Sequence, residues 1–166
     1  MDLEQFNQLD TAHAEAALSP CVHIHSWIEH LVQHRPYSTR DALYQTAKIQ
    51  AQTWQWSEIA NALAQHPRIG EKKAASALSE KEQRFSAKEQ GQLGADEDLQ
   101  QALYQGNLDY ESKFGHIFLI RAAGRTGAEM LAELQRRLNN SVVQEQQEVQ
   151  QQLAEIALIR LEQEIQ

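Results

Sequence analysis

Apolar residues recur along most of this chain at three- and four-residue intervals, the spacing of one face of an α-helix. The pattern predicts helices over residues 11–18 and 22–34, the second carrying Val22, Trp27, Ile28 and Leu31. Arg35-Pro36-Tyr37 breaks it. Ser38 or Thr39 is placed to cap the next helix, which runs through Leu43, Ala47 and Gln50. Ser57 opens another, with Ile59, Ala60 and Leu63 leading to His66, and residues 67–79 read as a loop containing Gly70. A helix is expected from Ala95 toward Phe114, with Leu99, Leu103 and Tyr110 at helical spacing. Ile117-Phe118-Leu119-Ile120, bracketed by Gly115 and Gly124, is too short an apolar run for its periodicity to separate helix from strand. Thr126-Gly127-Ala128-Glu129 has the pattern of a capping box and opens a helix through Met130, Leu131, Leu134 and Leu138, which Asn139-Asn140 ends. Ser141 starts a long last helix. Its Gln- and Glu-rich positions, set against Val142, Val143, Val149 and Leu153, fit a solvated helix face. The expectation is one all-α domain over residues 1–166, a helical bundle of about seven to nine helices, with no internal repeat and no linker.

Composition narrows the partners. With 166 residues and 42% hydrophobic positions the chain can bury a core. Fifteen Lys and Arg stand against 23 Asp and Glu, a formal charge of −8, and no basic stripe alternates with aromatics; nucleic acid and anionic membrane are therefore poor partners. Cys21 is the only cysteine, so no internal disulfide or zinc ribbon is available. The first residues lack the basic start and apolar stretch of a signal peptide, no run has transmembrane length, and the last residues are not a Ser-Lys-Leu address. A cytoplasmic protein is expected.

Three features carry candidate chemistry. His66 precedes Pro67 where a helix ends, in His66-Pro67-Arg68-Ile69-Gly70. The residue before a proline is pushed out of helical geometry, and imidazole titrates near neutral pH. Either His66 caps the last carbonyls of its helix, or the turn presents it to a cleft as an acid–base group. Ser86 and Glu89 form Ser-x-x-Glu, which a helix cap explains without any ligand; Ser79 and Glu82 repeat the pattern just before. Arg160 follows Val149, Leu153 and Ile156 at intervals of four, three and four, on an apolar stripe. A guanidinium there needs carbonyls, a carboxylate or an anionic ligand; a snorkelling or salt-bridged arginine is the alternative. His23, Trp27, His30 and His34 share a helical face, but Leu31-Val32-Gln33 holds no Glu between the last two histidines and no carboxylates are suitably spaced. No metal site is expected. The glycines at 106, 124 and 127 form neither a P-loop nor a dinucleotide fingerprint, and no serine sits in a nucleophile elbow.

Taken in order, these pieces resemble the 2-oxo-4-hydroxy-4-carboxy-5-ureidoimidazoline (OHCU) decarboxylases of urate breakdown. The resemblance runs nearly end to end. It includes Leu18-x-Pro20-Cys21, Trp27, Arg35-Pro36-Tyr37, His66-Pro67-Arg68-Ile69-Gly70 and Glu89-Gln90-Gly91. It continues through Asn107-x-x-Tyr110-Glu111-x-Lys113-Phe114-Gly115, Phe118-Leu119-Ile120, Gly124-Arg125, Arg137-Leu138-x-Asn140 and Ile159-Arg160-Leu161. It implies an all-helical, cofactor-free, homodimeric enzyme that converts OHCU to (S)-allantoin with loss of carbon dioxide. The family's catalytic histidine and glutamate would be His66 and Glu89. Pro67, Ser86 and Gln90 would contact substrate, the backbone of Leu119, Ile120 and Ala122 would line the pocket, and Arg160 would anchor the substrate. A loop containing Ala74 to Ala77 lengthens the interval between the His66 and Glu89 motifs, so Ser86 matches less closely than Glu89. The competing enzyme readings are a hydrolase or lyase acting on a related ureido or cyclic amide compound, and a metal-dependent hydrolase. A non-enzymatic helical interaction module is the third.

Overall fold

The computed structural model describes residues 1–70 and 96–166. Among the described residues there are eight helices and no strand. They are α1 (Leu3–Gln8), α2 (Thr11–Leu18), α3 (His25–Gln33), α4 (Arg40–Ala51), α5 (Trp56–Leu63), α6 (Glu97–Phe114), α7 (Gly127–Arg137) and α8 (Val142–Glu164). Most are started by a side chain that accepts a backbone N–H of the first turn. Asp10 caps α2, Thr39 caps α4, Asp96 caps α6, Thr126 caps α7 and Ser141 caps α8. Gly115 ends α6 in the left-handed conformation (φ 79°), a position where any side chain would be strained.

Two expected boundaries shift. The helix over 22–34 begins only at His25, because Val22 and Ile24 are buried in non-helical backbone and Ile24 is the extended residue before the first turn. The helix expected to open at Ser57 opens at Trp56, and Glu58 reaches back to the N–H of Gln55. Val142 and Val143 lie exposed in the first turn of α8 and add nothing to its buried face.

The helices build two cores. The larger joins Phe6 of α1, Leu18 of α2, Trp27 and Leu31 of α3, Leu43 and Ala47 of α4, Ile59 and Leu63 of α5, and Val149, Leu153, Ile156 and Leu161 of α8. Trp27, fully buried, donates its indole N–H to the Ala47 carbonyl (3.1 Å) and so fixes α3 against α4. Arg35 donates to the carbonyls of Phe6 and Leu9, both at 2.7 Å, satisfying the open end of α1. The smaller core joins Ile69, Leu103 and Tyr110 of α6, Phe118, Ile120, Ala122, and Met130 and Leu134 of α7. Here α6 packs on α7, while α5 and α4 pack on α8.

Candidate active site

The chain crosses between the cores at three places, the turn after α5, the apolar run at 117–122 and the α7–α8 junction, and the described candidates other than Arg160 lie at the first two. The first crossing is the turn after α5. The His66 N–H closes onto the Leu63 carbonyl (3.0 Å), and Pro67 then prevents another helical turn. Leu63 belongs to the larger core and Ile69 to the smaller, so His66 sits between them, 8% exposed. The far side of the turn is fastened to α6 in two places. Arg68 pairs with Glu111 at 2.7 Å, its Nε also donating to that carboxylate, and Asn107 donates its amide N–H to the Ile69 carbonyl (3.0 Å). Asn107 is 5% exposed, and among the described residues its Oδ1 has no hydrogen-bond partner. A cavity of about 560 Å³ opens on this outer side, lined by Ile69 and Gly70 of the turn and by Tyr104, Asn107 and Glu111 of α6; His66 is not among its described lining residues.

The second crossing is the apolar run that periodicity left undecided. It is neither helix nor paired strand, and its side chains alternate between the two cores as an extended strand's do. Phe118, Ile120 and Ala122 enter the smaller core, whereas Leu119 enters the larger. All four are at most 4% exposed. Among the described residues no neighbouring strand pairs with this backbone, and side chains hold it instead. Arg137 donates to the Leu119 carbonyl (2.8 Å), and the Gln152 amide oxygen accepts the Arg121 N–H (2.9 Å). The Arg125 N–H closes a turn onto the Ala122 carbonyl (3.1 Å). Among the described residues, no hydrogen bond is made by the backbone N–H or carbonyl of Ile120.

Arg160 lies on the buried stripe of α8, as its spacing predicts. It is 4% exposed and donates to the Pro20 carbonyl at 3.2 Å. Ile156, one turn before it, shares the larger core with Leu63 and Leu119. Leu63, Leu119 and Ile156 thus put the helix before His66, the apolar run and the helix of Arg160 on one large core. Pro67 is half-buried beside His66. Ser86, Glu89 and Gln90 lie outside the described residues. His30 and His34 stack with ring centroids 4.0 Å apart; burial, then the neighbouring His34, lowers the His30 pKa.

One buried cluster has no counterpart among the sequence candidates. Arg137, 1% exposed, donates through Nε (2.8 Å) and Nη2 (2.5 Å) to Glu145 Oε1 on α8, while its Nη1 holds Leu119. Tyr110 donates its hydroxyl to the same Glu145 oxygen at 2.5 Å, and Asn140 donates to the other at 3.0 Å. The guanidinium lies over the Phe118 ring, 4.4 Å from its centroid. Burial, and then the bond to Glu145, raises the Tyr110 pKa far above the ordinary phenol value. The signal was available. Met130, Leu134 and Arg137 follow at intervals of four and three, and Glu145 precedes Val149 by four, the same stripe arithmetic that singles out Arg160. Asn107 likewise lies one turn before Tyr110 on the buried face of α6.

Fold and site together define an all-α enzyme-like domain of a kind already seen in solved structures. One match is a crystal structure of an OHCU decarboxylase in the presence of (S)-allantoin, with TM-score 0.70 and 24% identity, over 87% of this chain and 94% of that one. Another is a crystal structure of an (S)-allantoin synthase, with TM-score 0.69 and 19% identity, over the whole of this chain and 54% of that one. The chain belongs to the OHCU decarboxylase family, whose model matches residues 7–162. Among curated relatives, the uric acid degradation bifunctional protein of Bacillus sp. (strain TB-90) is 26% identical over 163 residues, covering 98% of this chain and 32% of the relative. The uric acid degradation bifunctional protein TTL of Arabidopsis thaliana is 36% identical over 115 residues, covering 66% of this chain and 34% of the relative. The chain therefore spans about a third of the length of these two relatives.

Proposed function

We propose that this protein decarboxylates OHCU to (S)-allantoin without a cofactor, with His66 as the acid–base group, Glu89 orienting it, and Arg160 anchoring the substrate. The observation that carries this reading is the convergence, in a member of this family, of a buried histidine at a proline-locked turn and a buried arginine on neighbouring packed helices. OHCU needs no external electron sink. Its C4–carboxylate bond breaks, carbon dioxide leaves, and the bonding pair moves toward the adjoining C=N. His66 takes the C4 hydroxyl proton and returns it to the neighbouring ring carbon, and the ring nitrogen that received the pair takes one proton from solvent, so the net change is loss of carbon dioxide and uptake of one proton. Addition of the proton to that carbon from one face fixes the (S) product. Positioned proton transfer of this kind contributes about 10²–10⁴-fold. Glu89 holds the imidazole or accepts the ureido N–H groups. Pro67, Ser86 and Gln90 contact the substrate, and the backbone of Leu119, Ile120 and Ala122 closes the pocket; unpaired backbone groups at buried Ile120 suit a polar ligand. A guanidinium can grip an anionic group with two parallel bonds. The same reading takes residues 1–166 as one domain acting as a cytoplasmic homodimer, with no metal, nucleic-acid or membrane partner. No helix among the described residues is long and apolar enough to cross a membrane.

The test is a circular dichroism time course on OHCU generated in situ from urate by urate oxidase and hydroxyisourate hydrolase. Wild type should give a rapid (S)-allantoin signal, and His66→Ala should lose about 10²-fold or more in rate while keeping its helical spectrum. Slow racemic product with wild type, indistinguishable from the no-protein control, would reject the reading. A panel with allantoin and hydroxyisourate separates the related ureido chemistries.

A further inference from the structure

We infer that Arg137, locked by Glu145 and Tyr110, is a positioning residue for the substrate pocket: it sets the orientation of the Leu119–Ile120 peptide and therefore the direction of the Ile120 N–H. The inference rests on the decarboxylase reading and extends it to three residues outside the pocket.

A peptide unit is planar, with its C=O and the following N–H pointing in opposite directions. The Leu119 carbonyl and the Ile120 N–H belong to one such plane. Arg137 holds that carbonyl at 2.8 Å, so it also fixes where the Ile120 N–H points, away from the guanidinium. A β-sheet would fix the plane by pairing, but this extended segment has no strand beside it among the described residues. Arg137 supplies the missing constraint. It can do so only if it does not move, and its other donors are committed to Glu145, its face to Phe118. Glu145 is in turn held by Tyr110 of α6 and by Asn140 at the α7–α8 junction. Four parts of the chain thus converge on one peptide plane. Arg137 and Glu145 are 1% and 0% exposed, which removes water as a competing partner. Replacing such a buried pair with well-packed apolar residues is often neutral or stabilising. A pair used to aim a polar peptide has no apolar substitute.

The test is steady-state kinetics of wild type, Arg137→Lys and Tyr110→Phe on OHCU, with folded fraction measured by circular dichroism and binding stoichiometry by calorimetry with (S)-allantoin. Lysine keeps the charge but reaches either Glu145 or Leu119, not both. A misplaced pocket peptide weakens substrate contacts, so KM should rise about tenfold in Arg137→Lys, within the range that remote misplacement causes. The turnover per folded molecule should fall less. Tyr110→Phe loses one bond to Glu145 and keeps the ion pair, and its KM should rise about threefold, a smaller share of the same loss. A merely structural cluster would instead lower the folded fraction and stoichiometry while leaving KM unchanged; that outcome, in either variant that folds, overturns the inference. Absence of turnover in wild type would reject the decarboxylase reading itself, and this inference with it.

Discussion

Arg160 and Arg137 are both buried guanidiniums on apolar helix stripes. Arg137 holds the Glu145 carboxylate at 2.5 Å, and Arg160 donates to the Pro20 carbonyl at 3.2 Å. On the proposed anchoring role, Arg160→Lys should raise KM for OHCU roughly tenfold, on the order of one charge-assisted bond. Unchanged kinetics would return Arg160 to a structural role. At this scale the sequence was most informative about His66 and Arg160, whose burial follows from a proline and from stripe arithmetic. It was least informative about Asn107. Only the packing of α6 against the His66 turn reveals that its amide N–H holds Ile69 while its carbonyl oxygen stays bare among the described residues.

Elements are legible from sequence where one face is buried and the other wet. The helices α2, α4, α6, α7 and α8 lie close to where periodicity and caps put them, for that reason. The short α1 escaped because its buried face is the single side chain Phe6. The start of α3 was placed early because Val22 and Ile24 are buried outside the helix, and apolar residues in buried loops mimic helical periodicity. Residues 117–120 resisted any reading because both sides of the segment face a core, so no polar residue marks an outer side. The close approach of α6 to α7 was equally invisible. A Cβ on Gly106 would lie 2.4 Å from Leu134 Cδ2, so the two helices meet where one of them has no side chain. At an exposed helix position Gly→Ala would gain about 1 kcal/mol. Here overpacking costs about 1–3 kcal/mol, and Gly106→Ala should lose about 1 kcal/mol net in urea unfolding. Leu134→Ala in the same chain should cost less than the two separate changes added together, because the new methyl fills part of the space vacated. A stabilised Gly106→Ala would mean that Leu134 turns aside freely.

Across the whole molecule, an ion-pair network between α7 and α8 sets a response to acid. The Arg136 guanidinium bridges Glu133 (2.7 Å) and Glu148 (2.5 Å), tying α7 to α8. Hydrogen bonds from Arg136 hold Glu133 below the usual carboxylate range; burial pushes Glu148 up, but Arg136 and Asn140 together bring it below that range as well. A carboxyl whose folded pKa is depressed stabilises the fold above its unfolded value of 4.5, and that stabilisation disappears as pH falls through the folded value. Thermal melts should therefore show a loss below about pH 4.5, the ordinary carboxylate range, and Arg136→Gln should flatten it. Such part-exposed pairs contribute about 0.2–1 kcal/mol each, so a melting curve that does not change between pH 6 and pH 3 would count against the bridge.

The extended segment between Gly115 and Gly124 also has a counting consequence. Because alternate residues from Phe118 to Ala122 belong to opposite cores, losing or gaining one residue there would exchange every side chain's destination at once. Ile120 would be offered to the helices around Trp27, and Leu119 to those around Tyr110. A helix facing solvent can absorb an extra residue by fraying at its end. This stretch cannot, so its length is as tightly prescribed as its composition, and insertions in descendants of this chain should collect on either side of the two glycines and never between Phe118 and Ala122.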